Sequence, residues 1–233
     1  MITVISLGGS IVAPDAVDEA FLKDFVSLIR EFLNADAERR FIFVVGGGGP
    51  ARVYQKAYRE ISAITGTKAS DNEADWIGVM ATRLNAQLVR ALMGEWCSQD
   101  VVTDPTQAAD MTGRVLVAAG WKPGFSSDND AVLLAERFRA DRVINLSNIE
   151  QVYTDDPKKN PQAKPIDAIS WPDFRALVGD EWIPGKNVPF DPVASRRAAE
   201  LGLKVICAAG RNLENLKKIL RGEPFLGTTI GSC

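Results

Sequence analysis

The chain contains no histidine in its 233 residues. That absence removes every Ser-His-Asp or Cys-His triad, every His-ligated metal centre and every imidazole acid–base mechanism. Cysteine is scarce: Cys97, Cys207 and Cys233 are odd in number and form no CxxC pair, which fits reduced thiols of a cytoplasmic protein. No run approaches the ~18 apolar residues of a membrane span, so no membrane contact is expected. The N-terminus enters a strand-like run without a basic start or cleavage site, and no targeting segment is expected. Basic charge is not in excess either. The 27 Lys and Arg against 30 Asp and Glu give a net charge of −3, which argues against a nucleic-acid surface. The Gly-Lys-Ser/Thr ending of a P-loop is missing, which disfavours a P-loop NTPase.

What is present is dominated by glycine turns after short apolar runs. Phe41–Arg52 reads FIFVVGGGGPAR: a buried-strand run, four glycines, a proline suited to the first position of a helix, and an arginine in the first turn of that helix. Glycines let a ligand approach the main chain, and a helix N-terminus favours an anion such as phosphate. A second such turn, Gly8-Gly9-Ser10, follows Ile2–Leu7. Further strand-like runs fall at Val115–Ala119, Val143–Leu146 and Val205–Ala208. Helical patterns fall at about Asp18–Leu33, Pro50–Ile64, Glu73–Met93, Asn129–Arg139, Pro192–Leu201 and Asn212–Leu220. This alternation predicts an α/β protein of three layers, α/β/α, around a mostly parallel sheet, with ligands beyond the carboxyl ends of the strands. The polar, proline-containing segment Thr154–Trp171 reads as a long loop or hairpin. The chain reads as a single domain, 1–233, of two lobes, about 1–120 and 121–233, that meet near Leu116–Ser127.

Four glycines exceed what a tight turn needs, so Gly46–Gly49 is expected to touch ligand. The same turn matches a relaxed dinucleotide fingerprint, Gly46-x-Gly48-x-x-Ala51, with Asp71 or Glu73 following, a weak signal alone. Arg52 is a fork-shaped phosphate donor in waiting, since a cation near a helix N-terminus is unfavourable unless an anion compensates it. Ser126–Asp130 supplies five cap-forming residues in succession where one would cap the helix. The surplus hydroxyls and carboxylates suit a phosphate, a sugar or a metal-bearing ligand. Tyr153–Pro157 alone would be a turn.

These stretches together resemble the amino acid kinase superfamily, and within it the archaeal-type uridylate (UMP) kinases. The matching pieces are LGGS at Leu7–Ser10, VGGGGPARVY at Val45–Tyr54, DWIGVMATRLN at Asp75–Asn85, GWKPGFSSDNDAVLLAE at Gly120–Glu136 and SNIEQVYTDDPKKNP at Ser147–Pro161, followed by Phe190–Gly202 and Gly227–Ile230. The resemblance implies transfer of a phosphoryl group from ATP, carried with Mg²⁺, to UMP, in pyrimidine biosynthesis. It implies a UMP site of Gly47, Gly48, Arg52, Asp75 and Ser127, and an ATP site of Gly8, Gly9, Ser10, Ser147, Asn148, Tyr153, Asp156 and Pro157. Asp128 matches the aspartate that organises the transfer centre. No protein-only metal site is implied. The resemblance also implies a hexameric homo-oligomer, with Glu73–Met93 as an interface helix.

Three positions depart from the family pattern. The lysine that many members carry before the first glycine pair is Ser6, and Lys122 is the candidate for a replacement cation. The usual Asp-Gly before Val-Tyr-Thr is Glu150-Gln151, which is expected to reshape the adenine pocket. The usual Thr-Thr-Asp is Ser126-Ser127-Asp128, with both hydroxyls kept. Isopentenyl phosphate kinase is disfavoured by the absence of histidine, and acetylglutamate kinase and aspartokinase by Ser6, the first of them also by Asp191. The alternatives are a kinase for another small acceptor and a non-catalytic nucleotide or oxyanion binder of the molybdate type.

Overall fold

The structure, a computed structural model, describes residues 1–179, 181 and 188–231. In chain order the elements are β1 (Ile2–Leu7), α1 (Gly9–Val12), α2 (Glu19–Ala35), β2 (Arg40–Val45), α3 (Gly48–Thr65), α4 (Asp71–Met93), β3 (Val115–Ala118), α5 (Ser127–Phe138) and β4 (Arg142–Ser147). Then come β5 (Val152–Tyr153), β6 (Pro165–Ile166), β7 (Ala168–Ile169), α6 (Trp171–Val178), α7 (Pro192–Glu200), β8 (Lys204–Ala209), α8 (Leu213–Arg221) and β9 (Thr228–Ile230). Among the described residues, seven strands form one sheet in the order β3-β2-β1-β4-β8-β9-β7, and β5 pairs antiparallel with β6 in a separate hairpin. All pairs from β3 to β8 are parallel; only β8 and β9 run antiparallel. The hairpin overlaps the segment Thr154–Trp171 expected as a long loop or hairpin, with β5 just ahead of it.

Strand side chains alternate between two cores. Ile5, Leu7, Phe41, Phe43, Val117, Ile144 and Ile206 point to one face, where α1, α2, α4 and α8 cover them. Val4, Ile42, Val44, Leu116, Val143 and Val205 point to the other, under α5, α6 and α7. Both faces are buried, so the strands read as unbroken apolar runs instead of alternating ones. The first core is aromatic at its centre, where the ring of Phe25 meets that of Phe43 edge-on at 5.3 Å. Burying each such ring contributes about 1.5–3 kcal/mol.

Helix ends follow the side chains that can hold free amides. Asp18, Ser70, Ser126, Asp191 and Asn212 each accept from an amide of the first turn of α2, α4, α5, α7 and α8. Helix α3 starts two residues before the expected Pro50. Gly48 and Gly49 are already helical, Gly47 is the cap, and Pro50 sits third, still within the turn where its missing N–H costs nothing.

The chain runs β1, β2, β3 toward one edge of the sheet and resumes at β4 on the other side of β1. The switch point therefore lies between β1 and β4, where α/β sheets place their ligands. Gly8 and Ser147 close the two strands there, and the amide of Gly8 donates to the Leu146 carbonyl at 3.0 Å.

Candidate active site

The two glycine turns are one structure. A side-chain carbon on Gly9 would lie 2.0 Å from the Gly48 amide nitrogen, and one on Gly46 would lie 2.4 Å from the Gly9 nitrogen. Gly48, at φ +64°, would meet the Ala13 carbonyl at 2.2 Å, and Gly49 the Pro14 carbonyl at 2.4 Å. Backbone packing alone thus requires three of the four glycines in the run, a reason the sequence pattern could not reveal. The exception is Gly47, whose close neighbour is the Ala51 methyl at 2.8 Å. Asn85 of α4 fixes the turn from beneath. Its buried side-chain amide donates to the carbonyls of Gly46 at 2.9 Å and Gly47 at 3.1 Å. Asn85 had been visible only as part of a motif, without a role.

Beside the turns lies a cleft of about 270 Å³, lined by Gly46–Gly48, Gln55, Asp75, Thr82, Lys122, Phe125, Ser127 and Asp191, among others. Of the expected acceptor residues, Gly47, Gly48, Asp75 and Ser127 meet here, together with Lys122. Arg52 does not line it. It is exposed, and its guanidinium donates to the Pro14 carbonyl at 2.7 Å, across the glycine junction. Of the expected donor residues, Gly8 packs on the backbone at Leu146 and Ser147, at the switch point. Asn148, Asp156 and Pro157 are exposed and Tyr153 half-buried on the adjoining loop and hairpin.

The cap cluster resolves residue by residue. Ser126 is the cap of α5, its hydroxyl accepting from the Asn129 amide at 3.2 Å. Ser127 lines the cleft. Asp128 turns toward β1, where Ser6 donates its hydroxyl proton to Oδ1 at 3.1 Å and the Asp191 amide donates to Oδ2 at 3.2 Å. Ser6 is therefore a partner of the central carboxylate, not merely the place of a lost cation. Burial and then the negative charge of Asp191 push the Asp128 carboxyl up to about 6, against the opposing pull of those two hydrogen bonds. Asp130 is fully buried, and its carboxyl is pushed up to about 7, chiefly by burial, with the charges of Asp128 and Asp104 adding to it. Neither Asp130 nor Asp191 stood out in the sequence as a site residue, because only the tertiary fold shows which cap residues turn inward.

Gln151 also points inward. Its amide donates to Asp167 at 2.8 Å and to the Gly227 carbonyl at 3.2 Å, tying the β4–β5 loop to the strands behind it. At the position of the usual glycine, this chain carries a buried, hydrogen-bonded side chain.

The donor set suits a cation that arrives with its nucleotide. Among the described residues, no group of three or more carboxylates or thiols could hold a metal alone. Asp128 and Asp191 repel one another, however, and a divalent ion on phosphate oxygens would relieve that repulsion while needing one or two carboxylates.

The amino acid kinase family model matches residues 1–209. The chain is 35% identical to a uridylate kinase of Methanospirillum hungatei over 97% of this chain and 93% of that one. It is 32% identical to a uridylate kinase of Pyrococcus abyssi over 97% of each. The crystal structure of uridylate kinase from Archaeoglobus fulgidus superposes with a TM-score of 0.83 at 33% identity, covering 99% of this chain and 100% of that one. The UMP kinase of Bacillus anthracis shares the fold, with a TM-score of 0.75 at 20% identity. The chain belongs to the amino acid kinase family.

Proposed function

We propose that the protein is a UMP kinase that transfers the γ-phosphoryl group of ATP directly to the phosphate of UMP, giving UDP and ADP. The observation that carries this reading is the fused pair of glycine turns at the switch point, with a cleft on one side and the Ser147 loop on the other, in a chain similar along its whole length to archaeal uridylate kinases. Fusing the turns would hold two phosphate sites at a fixed separation. An in-line transfer through a loose transition state needs that positioning and charge neutralisation more than covalent chemistry. The set Asp75, Ser127 and Asp128 with a cavity-lining cation favours catalysis over passive nucleotide or oxyanion storage.

In this reading Gly47, Gly48, Arg52, Asp75 and Ser127 hold UMP, with Asp75 at the ribose hydroxyls. Gly8, Gly9 and Ser10 hold the donor phosphates, and Ser147, Asn148, Tyr153, Asp156 and Pro157 the adenosine side. Mg²⁺ bound with ATP would be held by Asp128, and it supplies charge neutralisation at the phosphates. Lys122 is the protein cation of the centre. Its ammonium rests over the Trp121 ring at 3.8 Å and near that of Phe125 at 5.1 Å, and no carboxylate among the described residues pairs with it. Such a cation is free to meet an anion.

Arg52 tests the acceptor side. Since among the described residues it donates only to the Pro14 carbonyl, phosphate can recruit it by exchanging one acceptor for a charged one. Arg52→Ala should raise KM for UMP by about tenfold or more while KM for ATP stays within about twofold. Equal changes in steady-state kinetics would remove it from the UMP site.

We also infer a homo-oligomer, a hexamer by likeness to the family. The outer faces of α3 and α4 leave Val53, Tyr54, Ile61, Ile64, Met80 and Leu84 exposed, an apolar surface that a second subunit would cover. Cytoplasmic residence accords with the free thiols of Cys97 and Cys207, and none of the described helices is long and apolar enough to cross a membrane.

A further inference from the structure

The Trp121–Phe125 loop carries Lys122 and Phe125 into the cleft, and two charged side chains from different helices, the buried Asp130 and the half-buried Arg83, hold its first residue. From α5, Asp130 Oδ2 accepts the Trp121 N–H at 3.1 Å. From α4, Arg83 Nη2 donates to the Trp121 carbonyl at 3.1 Å. The peptide groups on both sides of Trp121 are thus fixed, one by an acceptor and one by a donor, immediately before Lys122. A third, longer contact of 3.4 Å runs from the Gly124 amide to Asp75 Oδ2 at the far end of the loop.

These two side chains are costly choices for the fold alone. Among the described residues, Asp130 Oδ1 and Arg83 Nε are buried without a hydrogen-bond partner, so each residue satisfies the loop and leaves another polar atom unpaired there. Asp130 also stands next to Ala131, Val132 and Leu134, the apolar face of α5, where an aliphatic residue would pack at lower cost. Retaining a half-paired buried carboxylate there makes sense if its contact to the loop is used.

We propose that Arg83 and Asp130 are positioning residues, a two-sided clamp on Trp121 that sets the Lys122 ammonium against the phosphates. The proposal rests on the reading of Lys122 as the cation of the transfer centre. A loose loop would leave Lys122 present but misplaced, and a displacement of about 1 Å is enough to lower turnover markedly. The loss should therefore appear in kcat, with nucleotide binding at the glycine turns preserved.

The test is a kinetic cycle with kcat and both KM values measured for the wild type and for Lys122→Met, Asp130→Ala, Asp130→Asn, Arg83→Met and the double variant D130A/K122M. K122M should lose about tenfold or more in kcat, and D130A and R83M a comparable factor, with KM for ATP within about twofold. D130N should recover most of the loss, because the Asn oxygen still accepts from the Trp121 amide. D130A in the K122M background should cost nothing further, since the cation it positions is gone. Multiplying losses, or a D130N as slow as D130A, would overturn the clamp. Wild-type turnover by K122M would overturn the role of Lys122 and the clamp with it, while the wild-type rate in the same assay keeps the UMP kinase reading separate. Should D130A fail to fold, R83M with D130N and K122M decides the same question.

Discussion

Asp128→Asn should abolish most turnover and, at pH 8, make the folded protein more stable. The carboxylate sits between Ser6, near the end of β1, and the Asp191 amide at the start of α7. Losing its charge should lower kcat by about a hundredfold or more, the scale of a removed electrostatic contact at a reacting centre. The stability change has the opposite sign. The folded carboxyl is raised from 3.8 to about 6 by burial and by Asp191, so its ionised form is disfavoured in the native state. A raised acid costs nothing below the unfolded value, its penalty grows as pH rises toward the folded value, and it is full above that. The shift bounds the penalty at about 3 kcal/mol. The Tm of Asp128→Asn should therefore exceed the wild-type Tm by several degrees at pH 8, and the difference should vanish near pH 4. A variant that loses both activity and stability at pH 8 would show that Asp128 is a structural cap.

Gly9→Ala should remove both nucleotide sites at once. The new methyl would sit 2.0 Å from the Gly48 nitrogen and 2.7 Å from the Gly46 carbonyl carbon, so backbone would have to move away from backbone. Overpacking of this kind costs about 3 kcal/mol, and the displaced turn is shared by donor and acceptor. Calorimetric titration should show weakened binding of both UMP and ATP. Gly66→Ala is the control: φ is +71° there but nothing lies within 4 Å of an added methyl. It should cost about 1–2 kcal/mol of backbone strain and leave both affinities intact. Loss of ATP binding alone from Gly9→Ala would mean that the turns act separately.

The layered α/β fold was legible because the central strands are buried on both faces and read as short unbroken apolar runs, while α2 carries a long apolar stripe. Short elements were not. Helix α6 and strands β7 and β9 hold two to eight residues, too few to show a period, and β9 lies between the distant β8, antiparallel to it, and β7, parallel to it. In the site, Gly47, Ser127 and Asp128 stood out because glycine runs and cap clusters carry local signals, whereas Asp75, inside α4, came only from the family resemblance. The excess of glycines was noticed, but its cause was hidden, since the Gly9–Gly48 contact joins segments that are neighbours only in the fold. Asp130 was hidden inside its own cluster, and Arg83 was visible only as part of the DWIGVMATRLN motif, without a role.

The most direct test is turnover itself: incubate the protein with MgATP and, in turn, UMP, CMP, AMP and GMP, and follow ADP release. UMP should raise release far above the ATP-only blank, the other monophosphates should raise it less, and UDP should form in step with ADP. Release at the blank level with all four acceptors would contradict the account.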